Sequence, residues 1–396
     1  RWKRFPQVGK YSCKDLHTVH MHALPLIQRS LQGLAITHQH LQDLALQSTH
    51  KVFPLRYQDP PQVKDLCRLR SVTAHGPERA RLTGEIYRSR RSAKQQWSRE
   101  MFSRAAQGDW QARRAMQRPR VQRGGILHYV SAKGEAQIVV EEVQRYFGEK
   151  FSSGPTCLAG PFPWDADAFS TSELPTVEEV QQHIHKMKPH RTTGITGISA
   201  DLLNALLEVP QGHVLLMQVV HGILLGPAKH FPGLYDGLVI LVPKLIHVMG
   251  PQQLRPIVLL EACLKLVARI VTARILDSWP LPPSMFGSRP GAQVAEVAWL
   301  AKLMMTRKGV YSSPVVFLKL DLSAAFDSLR HSAIQQEMVN HYSPSQGASC
   351  RWFTFMLQRQ QLLFQICDEE FTLHMQKGTV QGGTHSPAVF SRVVAI

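Results

Sequence analysis

The chain has 396 residues, enough for two or three domains and a sizeable core. Its formal charge is +17, and residues 1–125 carry almost all of it, with 24 Lys/Arg against 8 Asp/Glu, while residues 126–396 hold 22 against 21. No apolar run reaches the length of a membrane span; residues 214–225 come nearest and include His221. The basic first third implies a polyanionic partner, nucleic acid ahead of an anionic membrane surface, because Lys and Arg neutralise phosphates and release their counterions. The chain begins at Arg1 rather than Met and shows no signal peptide, which reads as a piece of a longer, non-secreted polypeptide. Six scattered cysteines (Cys13, Cys67, Cys157, Cys263, Cys350, Cys367) form no C-x-x-C pair. Neither a zinc ribbon nor a disulfide framework is expected. His17, His20 and His22 are close in sequence. They lack a Cys or acid at ligand spacing nearby, and chance explains them better than a metal site.

Residues 1–125 read as a basic helical arm. An apolar rhythm at Leu24, Ile27, Leu31, Leu34, Leu41 and Leu44 predicts helix. Pro54, Pro60 and Pro61 interrupt the chain, and a long helix is predicted over 77–116. Its basic residues include Arg79, Arg88, Arg91, Lys94, Arg99, Arg113 and Arg114, with Tyr87, Trp97, Phe102 and Trp110 interleaved. Cations grip phosphates and aromatics stack on unpaired bases; the same pattern also suits a solvated helix with its aromatics packed on a neighbour.

Residues 126–175 read as a connector. A small hairpin across Lys133-Gly134 is expected, then an amphipathic helix over 140–151 with Tyr146, Phe147 and Phe151 on its apolar side. Gly, Pro and Ser dominate residues 152–175. Thr176 and Glu179 predict a capping box opening a helix to about residue 187. A glycine-punctuated loop at 192–198 has no Walker lysine, and helices are predicted over 200–208 and 212–225.

Two buried strands follow, 238–244 ending in Pro243-Lys244 and 254–260 opening Leu254-Arg255-Pro256. As an antiparallel pair they bring Lys244 and Arg255 to one end, where a point charge and a planar fork suit a triphosphate. Helices are predicted over 261–276 and 294–305, with a loop at Phe286-Gly287-Ser288-Arg289 between them. The run Val315-Val316-Phe317-Leu318-Lys319-Leu320-Asp321 reads as a buried strand, and a helix over 323–338 follows. Asp321 at a strand end could hold a hard cation, since Mg²⁺ needs only one or two protein carboxylates; it could equally cap the helix. A helix over 349–358 and a hairpin of strands 362–367 and 370–375 lead to a loop, 378–387. There Gly382 and Gly383 beside Gln381 allow close approach of a ligand, with Ser386 as expected N-cap and Pro387 at the first helical position.

Taken together, residues 176–396 resemble the reverse transcriptase domain of non-LTR, LINE-like retrotransposons. The segment 240–244 resembles the first fingers motif, and 255–260 with Lys265 the second. Phe286-Gly287-Ser288-Arg289 is similar to the GFR loop, Asp321-Leu322-Ser323-Ala324-Ala325-Phe326-Asp327 to polymerase motif A, and 378–387 with Phe390 to motif B. Tyr146-Phe147 resembles the YF helix that precedes such domains. The resemblance implies an α+β fold, a right-hand polymerase's fingers and partial palm preceded by the basic, mainly helical arm. It implies an enzyme that adds dNTPs to a DNA primer on an RNA template with Mg²⁺, and no membrane. Asp321 would be the metal ligand and catalytic carboxylate, helped by the Leu322 carbonyl. Lys244 and Arg255 would hold the triphosphate, Phe326 would be the steric gate against a 2′-OH, and Gln381 and Gly382 would lie along the nucleotide. Asp327 would brace the helix.

The pattern is incomplete. The loop at 192–198 resembles the family's KAPGPDGI segment without its Lys and Asp, with Thr193 and Thr196 in or near those places, and Gly383-Thr384 stands where Cys-Pro is common. No Asp-Asp dipeptide, the mark of motif C, occurs anywhere. The expectation is a domain truncated before motif C and inactive as this chain. The alternatives are a non-catalytic nucleic-acid-binding remnant of a retroelement, or another right-hand polymerase such as an intron maturase.

Overall fold

The apolar runs at 238–244, 254–260, 362–367 and 370–375 form strands close to where the pattern predicts them. The computed structural model describes residues 10–52, 57–109, 112, 126–152, 169–225, 233–283, 285–289, 291–311, 316–341, 346–366 and 369–394. Trp110, Arg113, Arg114, residues 153–168 of the expected connector, Val315, Cys367 and Asp368 lie outside these residues. The chain forms two compact units, residues 52–122 and the remainder, 1–51 with 123–396.

In the larger unit β1 (Lys10–Cys13) pairs with β2 (Thr49–Val52), and α1 (Leu16–Leu31) and α2 (His38–Ser48) lie between them in sequence. Asp15 caps α1 by accepting from the Thr18 backbone N–H. The helical core follows with α7 (Val177–His185), α8 (Ala200–Glu208) and α9 (Gly212–Leu225). Helix α9 is apolar almost all round and correspondingly buried, from Leu215 to Leu224. At the head of α7, Thr176 caps the Glu179 N–H as expected, but Glu179 does not complete a capping box. Its carboxylate instead takes two hydrogen bonds from Arg274, 95 residues on.

The sheet has the order β4-β3-β5-β6. β3 (Asp236–Pro243) pairs antiparallel with β4 (Leu254–Leu259), and parallel with β5 (Gln361–Ile366) on its other side. β5 and β6 (Glu369–His374) form the expected hairpin. Helix α10 (Ala262–Ser278) is largely buried and packs on α14 (Gly347–Arg359), itself buried through Trp352, Phe353 and Met356. No helix among the described residues is long and apolar enough to cross a membrane.

Several elements differ from the sequence pattern, and the long helix expected over 77–116 ends at Ala106. The expected hairpin around Gly134 is a helical pair, α5 (Ile126–Lys133) and α6 (Ala136–Phe151). Gly134 takes a left-handed φ of 84° where α5 ends. Val139, Val143, Phe147 and Phe151 recur at four-residue spacing and are all buried, so a helical stripe overrides the β-branched composition. The single helix expected over 323–338 is broken into α12 (Ala325–Ser328) and α13 (His331–His341). Between them Leu329 accepts from the Gly378 N–H, and Arg330 bridges Lys377. The helix expected over 294–305 continues to Tyr311 as α11 (Val294–Tyr311).

The smaller unit is a helical hairpin, α3 (Pro61–Val72) and α4 (Pro77–Ala106), closed by Val63, Leu82, Ile86 and Met101. Both helices carry Pro in their first turn, where the missing N–H costs nothing.

Candidate functional site

The buried stripe of α6 fixes the site. Phe147 packs on Phe151 (ring centroids 5.9 Å apart) and on Phe364 of β5 (5.5 Å), and Phe364 stacks on Phe371 of β6 (4.8 Å). Each ring so buried contributes about 1.5–3 kcal/mol. The stack clamps α6 across the β5–β6 hairpin and turns Lys150 toward α12. There Lys150 Nζ lies 2.8 Å from an Asp327 carboxylate oxygen, and its charge also lies 5.7 and 5.6 Å from the Tyr146 and Phe147 ring centroids. Asp327 is 2% exposed. Its two oxygens each accept from the Gln381 side-chain N–H at 3.2 Å. A buried carboxylate is tolerable only when paired and hydrogen-bonded in this way.

Gln381 sits in the loop that joins β6 to α15 (Ser386–Val393). Its carbonyl accepts from the Val258 N–H at 2.7 Å, which hangs the loop on β4. Gly382 has φ 125°, and a Cβ there would lie 2.4 Å from the Val258 carbonyl oxygen, so only glycine fits. The Thr379 N–H donates to the Phe326 carbonyl (2.8 Å), and the Phe326 ring packs on Phe390 at 4.9 Å. Pro387 lies in the first turn of α15 as expected. Ser386 is not the N-cap: its hydroxyl donates to the Val380 carbonyl, and His385 holds the cap position.

Lys244 and Arg255 lie at the same end of the β3–β4 pair. Arg255 is opposite Val242, and the Lys244 backbone N–H donates to the Gln253 carbonyl. Both residues are exposed. Burial, and then the positive charges of Lys150 and Arg255, hold the Lys244 ammonium below its usual value, while Asp327 pulls the other way. Lys244 therefore feels both the Lys150–Asp327 pair and Arg255. The sequence singled out Lys244, Arg255, Phe326, Gln381 and Gly382. It missed Lys150, whose only signal is a lysine beside the apolar stripe of α6.

Asp321 stands apart from this cluster. Residues 316–322 are not a strand; they are extended, unpaired and exposed, with Val316 at 88% and Leu320 at 80%. A β-branched run becomes a strand only when a neighbour pairs with it, and none of the described strands does. Asp321 and Leu322 are accordingly exposed, and Ala324, with a left-handed φ of 52°, leads into α12. Among the described residues no group of three His, Cys, Asp or Glu could hold a metal ion. With Asp327 occupied by Lys150, the donor set offers Asp321 and the Leu322 carbonyl alone, which does not fit a two-metal centre.

Two further features support the site from behind. The loop at 192–198 docks on α10: Glu261 accepts from the Thr196 backbone N–H at 2.8 Å and from the Thr196 hydroxyl. A Cβ on Gly194 would lie 2.8 Å from the Glu261 backbone nitrogen. Burial raises the Glu261 carboxyl above the usual range, and the Thr196 bonds offset part of this. Burial also pushes His331 and His385 down to about 4. His331 Nε2–H donates to the Gly378 carbonyl at 2.9 Å, whereas neither His385 ring nitrogen has a hydrogen-bond partner among the described residues.

No curated protein matches the chain. Residues 243–396, the span that holds Lys244, Arg255, Asp321, Phe326, Gln381 and Gly382, match the family model for reverse transcriptase (RNA-dependent DNA polymerase).

Proposed function

We propose that the chain supplies the fingers and part of the palm of a LINE-like RNA-directed DNA polymerase, and that it binds a deoxynucleoside triphosphate opposite an RNA template. The observation that carries this reading is the hydrogen bonding of Gln381 to Asp327 in α12, with Lys244 and Arg255 together at one end of the β3–β4 pair, inside the span that matches the family. Lys244 and Arg255 hold the triphosphate, one as a point charge and one as a fork. Phe326, backed by Phe390, closes the space a 2′-OH would need. Gln381 and Gly382 lie along the nucleotide, with their loop fixed to Val258. The basic arm contributes affinity for nucleic acid. Mg²⁺ supplies charge neutralisation and an activated 3′-OH in two-metal polymerases, but the donor set around Asp321 does not fit two ions. The 396-residue chain by itself does not extend primers.

The test is photo-crosslinking of radiolabelled dTTP to the chain with an oligo(dT)–poly(rA) template, alongside primer extension. Wild type crosslinks, and Lys244→Ala with Arg255→Ala loses at least tenfold of the signal. Primer extension abolished by Asp321→Ala would overturn the inactivity. Absence of crosslinking in wild type would favour the second reading, a non-catalytic nucleic-acid-binding protein, to which the exposed Asp321 already lends weight.

A further inference from the structure

We infer that one face of α4 is a binding surface for single-stranded RNA, with Arg88, Arg91, Lys94 and Arg99 on phosphates and Tyr87 and Phe102 stacking on bases. The choice of RNA rests on the polymerase reading above; the surface itself rests on α4.

Helix α4 spans 30 residues, and its side chains sort by sign. At 3.6 residues per turn, Tyr87, Arg88, Arg91, Lys94, Gln95, Ser98, Arg99 and Phe102 share an arc of roughly 140°. The three acids of the helix, Glu78, Glu85 and Glu100, all fall outside that arc. The buried residues Leu82 and Ile86 fall on the other side, and buried Met101 lies just beyond the Lys94 edge of the arc. The arc is lined into a groove of about 540 Å³ by Tyr87, Arg90, Arg91, Lys94, Gln95, Ser98 and Arg99.

The cations in this arc are available. Arg88, Arg91, Lys94 and Arg99 make no ion pair with any described residue; Lys94 lies over the Tyr57 ring at 5.5 Å. Arg90, by contrast, is held by both Asp59 oxygens and forms the groove's edge rather than a phosphate contact. A solvated helix of ordinary design mixes signs along its exposed face to make i,i+4 pairs. This one keeps acids off a basic strip, which suits a polyanion.

The aromatics choose the kind of polyanion. Tyr87 and Phe102 are each 68% exposed on the same face as the cations, about 22 Å apart along the axis. Exposed rings beside cations bind unpaired bases, whereas duplex bases are already stacked on one another. A membrane surface fits poorly, because lipid binding requires a continuous apolar face, and the apolar stripe of α4 is spent inside the hairpin.

The test uses the full chain and fluorescence anisotropy with a labelled 20-nucleotide oligouridylate, its duplex with oligoadenylate, and phosphatidylserine–phosphatidylcholine vesicles, across 50–200 mM KCl. Arg91→Ala with Lys94→Ala should weaken single-strand binding and flatten the slope of log affinity against log salt by about 1.4, the value for two phosphate contacts on a single strand. Tyr87→Ala with Phe102→Ala should weaken it about tenfold or more with the slope unchanged. Arg68→Ala with Arg70→Ala, an equal charge loss on α3, should change neither by as much. Melting temperatures confirm that each variant is folded. The surface is refuted by wild-type affinity in the α4 variants, by an equal loss in the α3 control, or by preference for the duplex or the vesicles. If dTTP crosslinks while the α4 variants bind RNA normally, the surface fails and the polymerase reading stands. If RNA binding follows α4 without dTTP crosslinking, the reverse holds.

Discussion

Lys150 and Asp327 form a buried ion pair, 2.8 Å apart, that joins a helix upstream of the span matching the reverse transcriptase family to the short helix α12 within that span. The pair places α6 within the architecture of the site although the family match begins only at residue 243. Removing one partner leaves a charge in a dry place. Lys150→Met should therefore destabilise the larger unit by about 3–5 kcal/mol. Adding Asp327→Asn should restore most of the loss, because the amide still meets Gln381. Urea denaturation of the two single variants and the double gives the coupling; purely additive losses would refute it.

Gly382→Ala places a methyl group against the Val258 carbonyl at a φ that side chains rarely adopt. The loop must leave β4, at a cost of about 1–3 kcal/mol. Limited proteolysis should then cut within residues 376–386, and dTTP crosslinking should fall with it. Gly291→Ala, where φ is also positive but no atom lies within 4 Å, serves as the comparison and should leave the loop protected.

Thr196→Val removes the hydroxyl that donates to the buried Glu261 carboxylate. One charge-assisted bond is lost and an acceptor is left unsatisfied, for about 1–3 kcal/mol. Thr196→Ser keeps the hydroxyl and should cost much less. Thermal melting of the two variants at neutral pH decides between them.

His385 is neutral in the folded protein down to about pH 4, while in the unfolded chain it takes up a proton near 6.5. Below 6.5 the unfolded state binds the extra proton, so the contribution to stability is full above 6.5 and is lost as pH falls toward 4. The loss is on the order of 3 kcal/mol for such a shift. His331 acts in the same direction. Glu261, raised by burial, acts oppositely, its contribution falling as pH rises above the ordinary carboxylate range. Comparing His385→Phe with wild type isolates the histidine: the melting temperature of the variant should drop less between pH 7 and pH 5. Parallel curves would refute the assignment.

The sequence carried what depends on local periodicity. The helices 200–208 and 212–225 stand where the apolar rhythm put them, and the β3–β4 pair brings Lys244 beside Arg255 as its turn implied. What failed depended on partners. The motif A run has strand composition but no neighbour to pair with, and Ser386 has cap chemistry but a nearer carbonyl at Val380. Around Gly134, β-branched residues suggested strands while the four-residue spacing from Val139 to Phe151 held the better signal. Lys150 was invisible because its partner lies 177 positions away, beyond any periodic pattern.

The parallel pairing of β3 with β5 also sets a timetable for synthesis. Asp236 pairs with Gln361 and Val239 with Phe364, each 125 positions apart. At about 5–20 residues per second, the nascent β3–β4 ribbon waits roughly 6–25 s for β5 to leave the ribosome. During that interval the open edge of β3 is a template for any passing strand. Folding of the larger unit is consequently paced by translation and sensitive to its speed, and a chaperone that shields Leu238 and Val239 until β5 arrives would raise the yield of native protein.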